Sequence, residues 1–547
     1  MPVITFDYED FLNLLGYDIS KEELINRLPM IGADFDKIEG NKISIEFFPN
    51  RPDLASVEGI ARASRNFFGF ELGLKNYEID NSDITIQVDN SVKNIRPYVS
   101  CALVKNITMT DELISSLMDL QEKLHFGIGR NRKKVAIGVH NFDPIKPPFV
   151  YKAVDPNSVE FVPLAKIESM TLDEILKKHE KGIDYAHLLD GYKKYPLIVD
   201  SLENVLSFPP IINGILTEVT PFTTDLFIDV TGNNLNSINY ALNIITTALA
   251  ERGGKIFNTL VKYDDMSYIS PNLTPKKREI SVSYINKILG TNMKVKEVTK
   301  SLKKMGYDTE VIEEDLIKIK IPSWRIDILH KIDIVEDVSV GYGYDKFEID
   351  YPKSLTYGRL LKHFNLFNVL RNIMIGLGYN EVTTFTISNE KNEFEKMNDK
   401  IKERVQIINP ISEEYSCLRI SLLPSLLNIL KENRHHSLPQ KIFELGIIVD
   451  KNYKNKYNLA GLKMDAKSNF SECKSTIDAI MRDIGKKYKI DEKNHPAFID
   501  GRCASIIHHH REIGYFGELH PETIIHFELE HPIIGFEIQA GSIIQDN

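Results

Sequence analysis

The apolar positions of this chain change period every few tens of residues, and each period predicts an element. Phe11, Leu12, Leu14 and Leu15 share one helical stripe, which predicts a helix over residues 8–15. Residues 42–47 alternate as a strand and run into the turn Pro49-Asn50-Arg51-Pro52. Asp53 is then placed to cap a helix from about Ala55 to Phe68. The basic run after Gly129 leads into a strand-like stretch over 135–139. Between Tyr151 and Leu260, strands are predicted at 196–200, 205–208 and 226–231, with a helix over 238–251 stopped by Gly253-Gly254. The polar stretch 270–277 carries two prolines and reads as a linker. Beyond it come short helices ending at Gly290 and Gly306 and a hairpin of 308–312 with 316–321. A final domain after Tyr351-Pro352 holds longer helices at 364–375 and 422–432. No internal repeat or low-complexity tract is present.

Composition sharpens this picture. The 547 residues include 67 Lys+Arg and 77 Asp+Glu, a formal net charge of −10, with 42% hydrophobic and 26% charged residues. At roughly 100–200 residues per domain, the length implies about three to five domains. The balance is that of a globular chain and excludes a disordered, collagen-like or coiled-coil one. An acidic total argues against broad coating of nucleic acid but permits a local basic patch. The densest basic run, Gly129-Arg130-Asn131-Arg132-Lys133-Lys134, suits either phosphate contact or a solvated loop. No apolar run approaches the roughly 18–20 residues of a membrane span. The acidic start lacks the features of a secretory signal, so a cytoplasmic location is expected.

Cys101, Cys417, Cys473 and Cys503 form no CxxC pair and read as reduced thiols. His508-His509-His510 reads as an exposed turn, and His435-His436 as neighbours of a helix C-terminus. Neither a GxxxxGK[ST] loop nor a GxGxxG turn occurs.

The most informative local pattern runs from Pro322 to Asp337. Asp327 is placed to cap a helix reaching about Val340, with Ile328, Ile332 and Val335 on one side. Asp333, Glu336 and Asp337 occupy i, i+3 and i+4 on the other. Like charges at this spacing weaken a helix by about a few tenths of a kcal/mol per pair, so a compensating cation is expected. A hard divalent ion such as Mg²⁺ fits carboxylate oxygens, and basic side chains of a partner would also serve. Spacing alone favours a plain solvated acidic face, and the lack of His or Cys argues against zinc.

Several segments together resemble the β subunit of archaeal and eukaryotic-type phenylalanyl-tRNA synthetase. They are Phe48-Pro49-Asn50-Arg51-Pro52-Asp53-Leu54, Gln121-Glu122-Lys123-Leu124-His125 with the basic run after Gly129, and Leu206-Ser207-Phe208-Pro209-Pro210. Two more are the stretch 321–345 and the stretch from Asn409-Pro410 to Pro424. Their order and combination make the resemblance specific, and it covers nearly the whole chain.

The resemblance implies a multidomain α+β chain: an N-terminal α/β module at 1–85, a B3/B4-type editing domain at 86–270, a B5 domain at 271–346, and a class II synthetase-like antiparallel sheet with helices at 347–547. It further implies an α₂β₂ ligase that joins phenylalanine to tRNA(Phe) with ATP and Mg²⁺, the synthetic site and most ATP contacts lying in the α subunit. Carried over residue by residue, the B5 Mg²⁺ ligands fall on Asp327, Asp333, Glu336 and Asp337, which sets aside the plain acidic face. The editing pocket falls on Leu197, Ser207, Asp229 and Thr231.

Within the last domain, residues 441–449 form a strand that leads to Asp450, where a class II enzyme wants a cation. No lysine or arginine follows Arg511. Phosphate charge cannot be held bidentately without them, so this core is expected to be catalytically silent. Proofreading is needed because an apolar pocket rejects an added hydroxyl by only about 10². A pocket that reads the phenol would hydrolyse mischarged Tyr-tRNA(Phe). With no legible nucleophile–histidine arrangement, attack by water assisted by the substrate is the expected route. Two rivals stand beside this reading: a free-standing deacylase of mischarged tRNA, and a regulatory paralogue that senses amino acid.

Overall fold

The computed structural model describes residues 3–349, 351 and 356–544. The chain forms two compact units, Met1–Asp350 and Tyr351–Asn547.

The first unit opens with a three-stranded antiparallel sheet in which Lys42–Phe47 lies between Val3–Asp7 and Ala33–Glu39. The helices Tyr8–Leu15 and Val57–Phe68 cover it, burying Phe11, Leu15 and Ile60. Asp53 does not cap the second of these helices. Ser56 does, its hydroxyl accepting from Gly59 N, while Asp53 pairs bidentately with Arg51 at 2.8 Å.

The next module is a sandwich of two sheets. Five strands run in the order Ile79–Asp80, Lys255–Phe257, Tyr98–Lys105, Leu226–Gly232, Val135–Asn141. A seven-stranded sheet includes Val205–Phe208, Tyr195–Val199, Phe149–Val154 and Thr85–Val88. Because Ile79–Asp80 pairs with Lys255–Phe257, this module starts near residue 79 and not after 85. Period-two alternation separates its two cores. Val99, Cys101 and Leu103 face the second sheet, whereas Ala102 and Val104 face the helices Asp111–Phe126 and Leu235–Glu251.

The third module packs Val282–Leu289, Val295–Lys304 and Lys331–Tyr342 on the antiparallel sheet Lys276–Ser281, Leu316–Ile321, Asp308–Glu313. Ile317, Ile319 and Ile321 alternate into its core. The last helix starts later than its spacing suggests. His330 caps it, not Asp327, and this rotates the expected face: Ile332 is exposed while Asp337 is buried.

The second unit contains a seven-stranded sheet, antiparallel except where Asn380–Glu381 joins Gln440–Val449 in parallel. Lys362–Gly376 and Phe470–Asp483 contribute to one apolar cluster, and Leu423–Glu432 to another. His508 ends a strand and is buried, unlike the exposed turn expected for all three adjacent histidines.

Candidate functional site

A cavity of about 300 Å³ lies beside the strand Val135–Asn141. Its walls come from the helix Asp111–Phe126, from that strand and from the stretch 207–219. Ile114, Leu117, Phe208 and Ile211 make much of the surface apolar, and Asp229, Thr231 and Ser207 reach it as polar groups.

The strand Val135–Asn141 is the edge of its sheet, and an edge carries unpaired backbone groups. Here side chains supply the partners. Ile137 N donates to His125 Nε2 at 2.8 Å, Gln121 Nε2 donates to Ile137 O at 2.7 Å, and Asn213 Nδ2 donates to Val139 O at 3.3 Å. The first of these bonds leaves the ring proton of neutral His125 on Nδ1, which faces Glu122 Oε1 at 3.4 Å. Glu122 also accepts from Arg132 at 2.7 Å. His125 and Arg132 together hold the Glu122 carboxyl down at about 2 against the opposing effect of burial.

Asp229 and Thr231 share one face of Leu226–Gly232. Asp229 stands opposite Gly138 in the sheet register. A Cβ at Gly138 would lie 2.2 Å from Asp229 Oδ2 and 2.7 Å from His140 Nε2. The missing side chain is therefore the space in which this pair meets, at 2.7 Å. His140 Nδ1 in turn lies 2.8 Å from Thr217 Oγ1.

Thr231 is fixed from behind by Arg96. Nε of that guanidinium donates to the Thr231 hydroxyl at 2.8 Å and Nη2 to its carbonyl at 2.6 Å. Nη1 donates to Arg132 O and Lys133 O, so one buried cation joins the Asp229 strand to the basic turn. Burial pulls the Arg96 pKa down to about 10, against the attraction of Tyr151 and Asp229.

Ser207 also reaches the cavity, and its buried hydroxyl has no hydrogen-bond partner among the described residues. Leu197 does not line it. This residue is fully buried one layer behind, in a cluster with Phe208 and Ile211, which do face the cavity. Sequence reading missed His140, Arg96 and Thr217, whose only signal is tertiary proximity. The basic run is divided: Arg130 and Lys133 are exposed, whereas Arg132 is buried, donates to Ile211 O and lies over the Tyr185 ring.

The acidic residues of the third module have different partners. Arg325 donates to Asp327 and Asp337, both at 2.6 Å, and the Tyr307 hydroxyl also donates to Asp337. Asp333 turns back to accept from Leu329 N at 2.8 Å and His330 N at 2.6 Å, closing the helix end. Glu336 is exposed. The four carboxylates thus do not converge, and among the described residues no group of three or more His, Cys, Asp or Glu could hold a metal ion. As they stand they do not fit Mg²⁺, which needs several oxygens around one point. The compensating cation for Asp327 and Asp337 is Arg325. The same guanidinium acts on Asp53, whose carboxyl stays low because Arg51, Arg325 and Arg62 outweigh its burial.

Known proteins resemble this chain along its length. A phenylalanine–tRNA ligase β subunit from Methanococcoides burtonii is 48% identical over 541 residues, covering 98% of this chain and 99% of that protein. One from Archaeoglobus fulgidus is 45% identical over 545 residues, covering 99% and 98%. The chain belongs to the phenylalanine–tRNA ligase β-subunit family. Residues 278–344 match the tRNA synthetase B5 domain, and 350–540 the phenylalanyl tRNA synthetase beta chain CLM domain. In structure, the chain is similar to an N-terminal fragment of the phenylalanyl-tRNA synthetase β subunit from Pyrococcus horikoshii. The TM-score is 0.61 and the identity 42%, over 62% of this chain and 99% of that one.

Within the CLM domain the buried charges are committed internally. Arg419, almost fully buried, donates to Glu444 Oε1 at 2.7 Å, Thr384 Oγ1 at 2.6 Å and Ile447 O at 2.8 Å. Asp450 caps a turn by accepting from Asn452 N and Lys454 N. Glu537 accepts from Ser421, Leu422 N, Asn458 and Tyr515. Glu393 accepts from Ile420 N, and burial pushes its carboxyl up to about 7.

Proposed function

We propose that this chain is the β subunit of a phenylalanine–tRNA ligase and that its cavity hydrolyses mischarged Tyr-tRNA(Phe). In this reading an α subunit performs the ATP- and Mg²⁺-dependent attachment of phenylalanine within an α₂β₂ cytoplasmic enzyme. The CLM domain serves as scaffold. Among its described residues the one almost fully buried arginine, Arg419, is neutralised by Glu444, and Glu393 and Glu537 add buried carboxyls, whereas a triphosphate needs cations.

The single observation that carries the proofreading half is Asp229: a buried acid at the wall of a largely apolar cavity. The apolar wall accepts an aromatic ring, and the carboxylate accepts the phenol O–H that phenylalanine lacks. Phenylalanine would leave the accepting capacity that Asp229 turns to the cavity without a donor, and a site built this way discriminates far more strongly than an apolar one. Glu122, Gln121, Asn213 and Arg132 border the same space and would hold the ester end and the attacking water.

The test is co-expression with an α subunit, followed by assays of phenylalanine attachment and of Tyr-tRNA(Phe) hydrolysis. Both activities are expected in the complex, and no phenylalanine-dependent pyrophosphate exchange in the isolated chain. Pyrophosphate exchange by the isolated chain, or a complex that leaves Tyr-tRNA(Phe) intact, would refute the corresponding half.

A further inference from the structure

We infer that His140 is a positioning residue for discrimination: it holds Asp229 as an oriented acceptor, and through Asp229 it sets the preference for tyrosine over phenylalanine. This rests on the proofreading reading above.

The geometry is specific. His140 and Asp229 come from neighbouring strands, meet at 2.7 Å in the space left by Gly138, and are both almost wholly buried. A carboxylate can only accept, so Nε2 of His140 must carry the proton it shares with Asp229 Oδ2. Thr217 Oγ1 at 2.8 Å from Nδ1 fixes the other side of the ring, and Thr217 Oγ1 also lies 3.2 Å from Gly214 O. The imidazole is thereby held from both ends, on a strand whose free edge is already satisfied by His125, Gln121 and Asn213.

Removing the Nε2–H donor changes how Asp229 is held. Without that N–H, the Asp229 carboxylate loses the contact on Oδ2 that fixes its orientation at the cavity wall. A carboxylate free to turn no longer meets the phenol O–H in one fixed geometry, so the advantage of tyrosine over phenylalanine shrinks. The predicted signature is lost selectivity and not a uniform loss of rate. His140→Gln keeps an N–H donor close to the position of Nε2, so it should preserve much of the preference.

The experiment compares the αβ complex carrying wild-type chain, His140→Ala, His140→Gln or Thr217→Val, with Tyr-tRNA(Phe) and Phe-tRNA(Phe) as substrates. We expect the ratio of the two deacylation efficiencies to fall about 10- to 100-fold in His140→Ala, the usual range for losing a hydrogen bond to a charged group. His140→Gln should recover most of that ratio, and Thr217→Val should change it less than His140→Ala does. Equal loss on both substrates in His140→Ala would overturn the inference. So would abolished hydrolysis of both in Thr217→Val, which would make Thr217 a nucleophile served by His140. An independent arm records imidazole ¹⁵N shifts of histidine-labelled chain, with the signal assigned through His140→Gln. A protonated Nε2 is expected, and an unprotonated one refutes the pairing whether or not the complex proofreads.

Discussion

Asp229 and Asp337 are both buried acids of the same unit, and their partners give them opposite roles. Asp337 is closed: Arg325 and Tyr307 both donate to its Oδ2, and Arg325 also holds Asp327. Asp229 stands at a cavity wall with His140 on Oδ2. A full cation ties the first into a structural knot, whereas an imidazole orients the second and leaves it facing the space where a ligand enters. The lesson is that an acidic motif becomes a site only where its neighbours leave capacity unused.

The largest expected effect breaks the closed member. Arg325→Met should destabilise the first unit by about 3–5 kcal/mol, since it strands the buried Asp337 and the half-buried Asp327. Urea unfolding followed by fluorescence of Trp324, the single tryptophan, reads this directly. An unchanged midpoint would mean that the arginine is not what holds the acids.

Breaking the open member should barely touch stability. Asp229→Asn is expected to cut the Tyr/Phe deacylation preference about 10- to 100-fold while phenylalanine attachment stays as in wild type. A preserved preference would remove Asp229 from recognition. Gly138→Ala sharpens the same point, because its Cβ would displace the Asp229–His140 pair. Tyr-tRNA hydrolysis should fall about tenfold, equivalent to roughly 1.4 kcal/mol. Wild-type rates would show that the pair tolerates being pushed apart.

Glu393 supplies the smallest effect and a third kind of buried acid, one that accepts a backbone N–H. Its carboxyl is raised to about 7 by burial, against an ordinary 4.5. Between those values the folded state binds more protons than the unfolded one, so its contribution is complete below about 4.5 and is lost as pH rises through about 7. Hydrogen exchange at Ile420 and the following helix, corrected for intrinsic rates, should therefore show declining protection from pH 5 to 7.5. Glu393→Gln should flatten the trend; an unaltered slope would place the titration elsewhere.

Local pattern carried far into this fold. The strands at Lys42–Phe47, Val205–Phe208 and Leu316–Ile321 are where the apolar runs put them, and Gly290 ends its helix with a φ of 69° as a C-terminal glycine should. Caps were less legible. Ser56 and His330 took the roles expected of Asp53 and Asp327, because both aspartates had an arginine two residues earlier that bound them first. Alternation placed Asp229 and Thr231 on one face. It could not tell that Leu197 points to a neighbouring apolar cluster, since every residue from Pro196 to Val199 is buried and the period vanishes.

The order of elements, the acidic balance, the family and the absence of lysine or arginine after Arg511 were all determined by the sequence by itself, because each depends on neighbours along the chain. Tertiary structure alone decided which acids are available. His140 lies 89 residues from Asp229 and Arg96 lies 135 from Thr231. Hydrogen bonding acts over about 3 Å of space whatever the separation in sequence, so the identity of each partner waits on the fold.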